Sequence, residues 1–387
     1  MFSSRTRWDL RQNRLANLLE ARRAAGAPMI DLTQSNPTRA GIAYPADLLR
    51  PLSDLSALRY EPEPFGLTAA REAVAADYRR RGAEVAADRI LLTASSSEAY
   101  AFLFKLLCDP GEAVIVPRPS YPLFDYLAGL ESVAVTRYPL RYDGEWHVDL
   151  PALARAVDAR TRAIVVVNPN NPTGSYLKRD EAAALQEIAA SHGAAVVSDE
   201  VFADYALRPD PRRVGCLAGD VPALTFCLGG LSKSCALPQL KLGWVAVSGP
   251  RPLREEALSR LEVVADTYLS VATPVQRALP EILARALELQ GPIAARVAGN
   301  LGILRRRAAP PSPVTLLEPE GGWYATLRVP ATLPEEERVA RLLEDEGILV
   351  HPGYFFDFPH EAYVVVSLLP EPERFADAVD RMLARML

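Results

Sequence analysis

Seven short, strongly apolar runs recur along the first two thirds of the chain, and this recurrence limits the fold more than any other feature. They are "RILLT" (89–93), "AVIVP" (113–117), "SVAVT" (132–136), "AIVVV" (163–167), "AAVVS" (194–198), "LTFCL" (224–228) and "GWVAV" (243–247). Helical stretches such as 97–107, 151–157 and 180–191 separate most of them. A strand that is apolar at consecutive positions is covered on both faces. Such strands joined by helical crossovers predict an α/β fold with a seven-stranded, mostly parallel sheet between helices. Helical pattern returns over roughly 253–307. A final section follows, with strands near 314–318, 323–329 and 363–368 and helices near 335–346 and 371–386. Roughly the first 25 residues read as a helix with Leu10, Arg14, Leu15, Leu18 and Leu19 on one face. The expected division is a large α/β domain at 41–274 and a smaller α+β domain made of 1–40 and 275–387.

Composition narrows the function. A hydrophobic content of 49% supports a sizeable core, and a net charge of −5 without a block of like charge points to neither nucleic acid nor an anionic membrane. Arg305-Arg306-Arg307 reads as a solvated helix face. No apolar run reaches a membrane span, and the N-terminal stretch has no apolar core of a secretory signal, so a cytoplasmic location is expected. The four cysteines show no CxxC spacing and predict reduced, mostly buried thiols and no metal site. Neither GxGxxG nor GxxxxGK[ST] occurs, which disfavours nicotinamide and nucleoside triphosphate chemistry.

The basic residues carry a sharper signal. Of 43 lysines and arginines only four are lysine, at 105, 178, 233 and 241, and two of them share the stretch "GGLSKSCALPQLKLGW". An amine can lose its proton and form an imine; a guanidinium stays protonated.

Four segments sit at or just beyond predicted strand ends, where ligands gather in open α/β sheets. "TASSSEAY" (93–100) places hydroxyls at a helix start, whose free N–H groups hold anions. "NPNNPTG" (168–174) offers an asparagine donor on a rigid turn, "SDE" (198–200) a strand-end carboxylate, and the Lys233 stretch an amine. Each alone has an ordinary structural reading, as an N-cap, a turn or a surface charge. Together they supply what pyridoxal phosphate requires: donors and a cation for the phosphate, an anion for the pyridine nitrogen, and an amine for the aldehyde.

With these residues in place, the chain resembles the fold-type I pyridoxal-phosphate enzymes, specifically the class I/II aminotransferase family. The likeness runs nearly end to end, adding "SNPT" (35–38), Tyr60 with "FGL" (65–67), "PRPSYPLF" (117–124), "PEGGWY" (319–324) and "HPGYFF" (351–356). The resemblance implies that Lys233 is the Schiff-base lysine and then the proton shuttle between substrate Cα and cofactor C4′. It implies that Asp199 pairs with the pyridinium, Asn171 donates to the phenolic oxygen, and Tyr121 stacks on the ring. Ser95 and Ser96 would hold the phosphate with help from Ser232 and Lys241, and Tyr60 would reach the phosphate of a neighbouring subunit in a homodimer. Amino acids and 2-oxo acids would be the substrates, exchanged by a ping-pong mechanism. A lyase or decarboxylase on the same fold shares the early steps. A cofactor-sensing regulator would need a DNA-binding module, which the sequence does not show.

Four positions depart from the family pattern. Phe202 stands where a tyrosine usually donates to the phenolic oxygen, with Tyr205 as a possible substitute donor. Gly230 replaces a frequent phosphate-binding serine. Lys241 does a job usually given to arginine. Val365 stands where the family's carboxylate-binding arginine is expected, leaving Arg39 and Arg118, with Asn36, as candidate substrate contacts.

Overall fold

The computed structural model describes residues 1–386. In chain order the strands are β1 (Ile30–Asp31), β2 (Ile90–Thr93), β3 (Ala113–Arg118), β4 (Ala134–Tyr142), β5 (Trp146–Val148), β6 (Thr161–Val167) and β7 (Ala195–Asp199). They continue with β8 (Thr225–Gly230), β9 (Gly243–Ser248), β10 (Thr315–Leu317), β11 (Tyr324–Arg328), β12 (Ile348–Leu349), β13 (His351–Pro352) and β14 (Tyr363–Ser367).

The main sheet has eight strands, ordered β2-β9-β8-β7-β6-β3-β4-β5, which corrects the expected seven. The extra strand is β5, a three-residue antiparallel partner for the end of β4. The five central strands β8, β7, β6, β3 and β4 run parallel; β9 and β5 run against them, and β2, paired antiparallel with β9, runs in the same direction as the five. Alternate side chains of the same strands feed two separate cores. Ile164, Val166, Val196 and Cys227 enter the larger core; Ala163, Val165, Val167, Val197 and Phe226 enter the other. That two-sided burial is why these strands read as unbroken apolar runs.

A four-stranded antiparallel sheet, β10-β11-β14-β13, forms the smaller unit. The N-terminal segment joins it: β1 pairs with β12 in parallel register, and Arg14 forms an ion pair with Glu337. The N-terminal helix is shorter than its apolar pattern suggests. It spans Arg14–Ala24, capped by the Asn13 side chain on the Ala16 amide, and Leu10 lies exposed before it. The serine turn, the asparagine loop, Asp199 and Lys233 all follow the carboxyl ends of strands of the main sheet. The register aligns Asp199 with Val167 and Leu228, and Gly243 with both Thr93 and Gly230.

Candidate active site

Lys233 lies in the single helical turn Leu231–Ser234 that follows β8. Its Nζ is 5.1 Å from the centre of the Trp323 ring and 5.4 Å from that of Phe202. Lys233 is not sealed from solvent. Even so, protein crowds the amine closely enough for desolvation to push its pKa down to about 8, against a smaller opposing pull from Asp199. Asp199 ends β7 with 8% exposure, its Oδ2 accepting from the Tyr100 hydroxyl (3.2 Å) and Oδ1 from the Val201 amide (3.2 Å). Burial raises its pKa to about 6 despite these two donors. The site therefore holds an acid and a base whose environments both work against charge.

The three asparagines of the 168–174 loop divide by function. Asn168 donates to the Val214 carbonyl and accepts from the Leu177 amide. Asn170 donates to the Pro119 carbonyl and to Thr173, and accepts from Ser120. Asn171 keeps a buried Oδ1 with no hydrogen-bond partner among the described residues. Two asparagines thus build the loop and the third is left for a ligand.

Ser95 caps the helix Ser96–Leu107, its hydroxyl accepting from the Glu98 amide, and the helix start lies against β9. A Cβ on Gly243 would sit 3.3 Å from the Ser96 nitrogen and 3.2 Å from the Ser95 carbonyl carbon, so this approach requires glycine. The same closeness accounts for Gly230. A Cβ there would meet Gly243 Cα at 3.0 Å, which leaves no room for a serine. Ser232 is half-buried beside Lys233, and Lys241 is exposed in a left-handed turn just before β9. Tyr121 is half-buried, edge-on to Phe124. Tyr60 is 69% exposed, on a different stretch of surface that it shares with Glu63 and Asp266.

The candidate substrate residues are placed less centrally. Arg118 is occupied: its Nε donates to the Asp357 carbonyl at 2.9 Å and its guanidinium pairs with the Asp357 carboxylate at 3.1 Å. Arg39 is exposed and lines a surface cleft with Asp31, Gln34, Glu371 and Arg374. The Asn36 side chain accepts from the Thr38 amide and hydroxyl. Val365 is fully buried between Thr326 and His351 in the small sheet. Tyr205 is committed elsewhere, its hydroxyl donating to the Lys233 carbonyl at 2.8 Å.

Sequence reasoning missed one part of the surroundings. Lys178 donates to both oxygens of Glu320, at 2.7 and 2.8 Å, and to the Tyr176 carbonyl at 3.1 Å. Arg213 Nε donates to the same carboxylate at 3.0 Å. Glu320 is fully buried, three residues before Trp323, so this cluster ties the asparagine loop to the segment whose ring faces Lys233. The rarity of lysine was the only sequence signal for it.

Comparison with known proteins shows the family and the fold. The chain is similar to nicotianamine aminotransferase 1 of Oryza sativa subsp. japonica, 34% identical over 234 residues, covering 59% of this chain but 46% of that protein. It is 30% identical over 335 residues to nicotianamine aminotransferase A of Hordeum vulgare, covering 82% and 70% respectively. The chain thus spans less than half of the rice relative's length. In structure it is similar to alanine aminotransferase from Pyrococcus furiosus, with a TM-score of 0.88, 22% identity, and coverage of 96% of this chain and 95% of that one. The family model for aminotransferase class I and II matches residues 29–380, and the chain belongs to that family.

Proposed function

We propose that this chain is a pyridoxal 5′-phosphate-dependent aminotransferase that exchanges an amino group between an amino acid and a 2-oxo acid. The observation that carries this reading is the convergence of three groups at one end of the main sheet. They are an amine with a pKa lowered to about 8, a buried strand-end carboxylate and an asparagine whose side chain is not spent on its own loop, which leaves the Asn171 Nδ2 to donate. The residues fit the cofactor. The Ser95–Ser96 helix start, Ser232 and Lys241 would hold its phosphate, Tyr121 would stack on its ring, and Asn171 would meet its phenolic oxygen. Bound there, the cofactor's aldehyde takes up the amino group and its protonated ring withdraws electrons from the substrate.

Asp199 would hold the ring nitrogen protonated, and a cation beside it would draw the carboxyl's pKa down from about 6 toward the anion. Lys233, with its pKa lowered to about 8, is the amine that would hold the cofactor's aldehyde, and its Nζ, when free, would serve as the base that takes the proton from substrate Cα and returns it. Phe202 and Trp323 cover part of that amine with their rings, 5.4 and 5.1 Å from Nζ.

Tyr60, far out on the surface, suits a reach into a second subunit, and so a homodimer. Pairing of β1 with β12 supports grouping residues 1–40 with 275–387, apart from 41–274. Four free cysteines suit a cytoplasmic location. The test is a single-turnover screen, mixing cofactor-loaded protein with one amino acid at a time and following the visible spectrum. One 2-oxo acid per subunit without ammonia or CO₂ is the expected result. Release of ammonia or CO₂ with the starting spectrum retained would replace transamination by a lyase or decarboxylase. Arg39→Ala and Arg118→Ala should then separate by KM; if neither moves it, the carboxylate binds elsewhere.

A further inference from the structure

One residue beyond Asp199, the chain carries a second buried carboxylate that this chemistry does not use. Glu200 is 3% exposed. Its Oε1 accepts from the Ser198 hydroxyl at 2.9 Å and the Leu217 amide at 2.8 Å, while Oε2 is buried with no hydrogen-bond partner among the described residues. Two thiols stand beside it, Cys216 from the segment after the asparagine loop's partner Val214, and Cys227 from β8. One Glu200 oxygen and the two sulfurs all lie within 4.8 Å of one another. Sheet register does the gathering, since Ser198 of β7 is paired with Cys227 of β8.

Three further features suit a ligand. The Ala218 amide donates to Cys216 Sγ at 3.3 Å, which fixes the direction of that sulfur. Cys216 lines a surface cleft of 520 Å³ between the helix Arg179–Ser191 and residues 214–222, which opens a path from solvent. Arg81, ion-paired with Asp77 at 3.2 Å, is close enough for the Glu200 charge to act on it.

We propose that Glu200, Cys216 and Cys227 form a binding site for one soft divalent cation of the zinc class. Two sulfurs and one carboxylate oxygen are a donor set for a soft or borderline metal; calcium and magnesium take oxygen alone. A fourth position is open to water through the cleft. Binding exchanges charge in a defined way. The metal displaces one proton from each thiol, two protons leave to solvent, and the carboxylate adds without loss. The centre carries one net negative charge, which Arg81 offsets. The site would tie β7, which ends in Asp199, to β8, which leads to Lys233, and both to the 214–222 segment.

The experiment uses reduced, metal-stripped, untagged holoenzyme titrated with zinc chloride in weak buffer. One zinc per chain is expected, with two protons released and two of the four thiols shielded from a thiol reagent. Cys216→Ser, at the cleft edge, should weaken retention by about 100-fold or more and Glu200→Gln by about 10- to 100-fold. Ala substitution of both Cys108 and Cys235 should leave it intact. The wild-type proton and thiol counts need no variant, so a misfolded Cys227→Ser protein would not blunt the test. Zinc that binds without proton release, or equally well to Cys216→Ser, would be adventitious binding at surface carboxylates and would overturn the site. The cluster would then be a thiol–carboxylate contact within the core.

Discussion

Two of the four lysines lie in the same α/β unit, Lys178 buried and Lys233 half-buried, and their surroundings make them different reagents. The Lys178 amine has three acceptors around it, both oxygens of a fully buried Glu320 and the Tyr176 carbonyl, and Arg213 completes the cluster. The Lys233 amine faces the rings of Trp323 and Phe202 and has Asp199 only as a more distant, weaker influence. Desolvation is common to both; the partner set is not. Lys178 is bonded to two carboxylate oxygens and a carbonyl, whereas Lys233, desolvated against aromatic faces, has its pKa lowered to about 8 and can become a nucleophile.

The largest expected break in this comparison is in chemistry. Lys233→Ala should abolish borohydride-stable attachment of pyridoxal phosphate and lower turnover by about 10⁴-fold. Lys178→Arg should keep the attachment, because it touches no reacting atom. Visible absorbance and mass of the reduced protein read both outcomes, and attachment surviving in Lys233→Ala would remove the basis of the comparison.

Stability should break the other way. Lys178→Met leaves Glu320 buried beside Arg213 alone and should cost about 3–5 kcal/mol, as should Glu320→Gln, which strands two cations. Lys233→Met, measured without cofactor at pH 7, should leave stability unchanged or raise it. The sign follows from the lowered pKa. The unfolded chain holds the lysine proton up to the ordinary value near 10.5, so the native state carries the full penalty below pH 8 and sheds it between 8 and 10.5. The gain in Lys233→Met should therefore fade across that window. Urea unfolding at pH 7 and pH 10.5 decides it; a loss as large as that of Lys178→Met would mean Lys233 is a structural cation.

The difference between these lysines also marks what the sequence could reveal. Lys233, Asp199 and Asn171 sit just past strand ends, and strand ends are visible as the close of an apolar run. Lys178, Arg213 and Glu320 come from segments more than a hundred positions apart at the extremes, and no local pattern announces that they meet. The thiols at 216 and 227 were counted, but their spacing matches no metal motif, and only the pairing of β7 with β8 brings them to Glu200. Of the strands, β5 was missed because its three residues are too few to show a period, and its pairing depends on the hairpin with β4. The N-terminal helix was overextended because Leu10 fits the apolar spacing, yet Asn13 caps the helix after it. Phe202 and Gly230 were legible as departures, but only packing explains the glycine, which β9 crowds.

A finer expectation concerns the rate at which cofactor is captured. Attack on an aldehyde needs the neutral amine, so the rate should rise with pH and level off above a midpoint near 8. Stopped-flow absorbance from pH 6 to 10 would show it. A midpoint near 10.5 would place the amine in water and erase the contrast with Lys178.

The smallest effect tests the aromatic wall itself. Phe202 is 4% exposed, edge-on to Trp323 at 5.1 Å, and its ring is 5.4 Å from Lys233 Nζ. Tyr205 cannot stand in for the missing hydroxyl, because its own is engaged by the Lys233 carbonyl. Phe202→Tyr would add one oxygen at the ring edge, where the family pattern would place a donor to the cofactor's phenolic oxygen beside that of Asn171. A donor there stabilises the ionised oxygen, so the pH midpoint of the bound cofactor's visible band should fall, by about one unit or less. Turnover should change little, since the added group holds charge and moves no proton. A titration that leaves the midpoint in place would turn Phe202 away from the phenolic oxygen and leave it as packing for Trp323. Lys233 would then owe its lowered pKa to burial by that pair of rings alone.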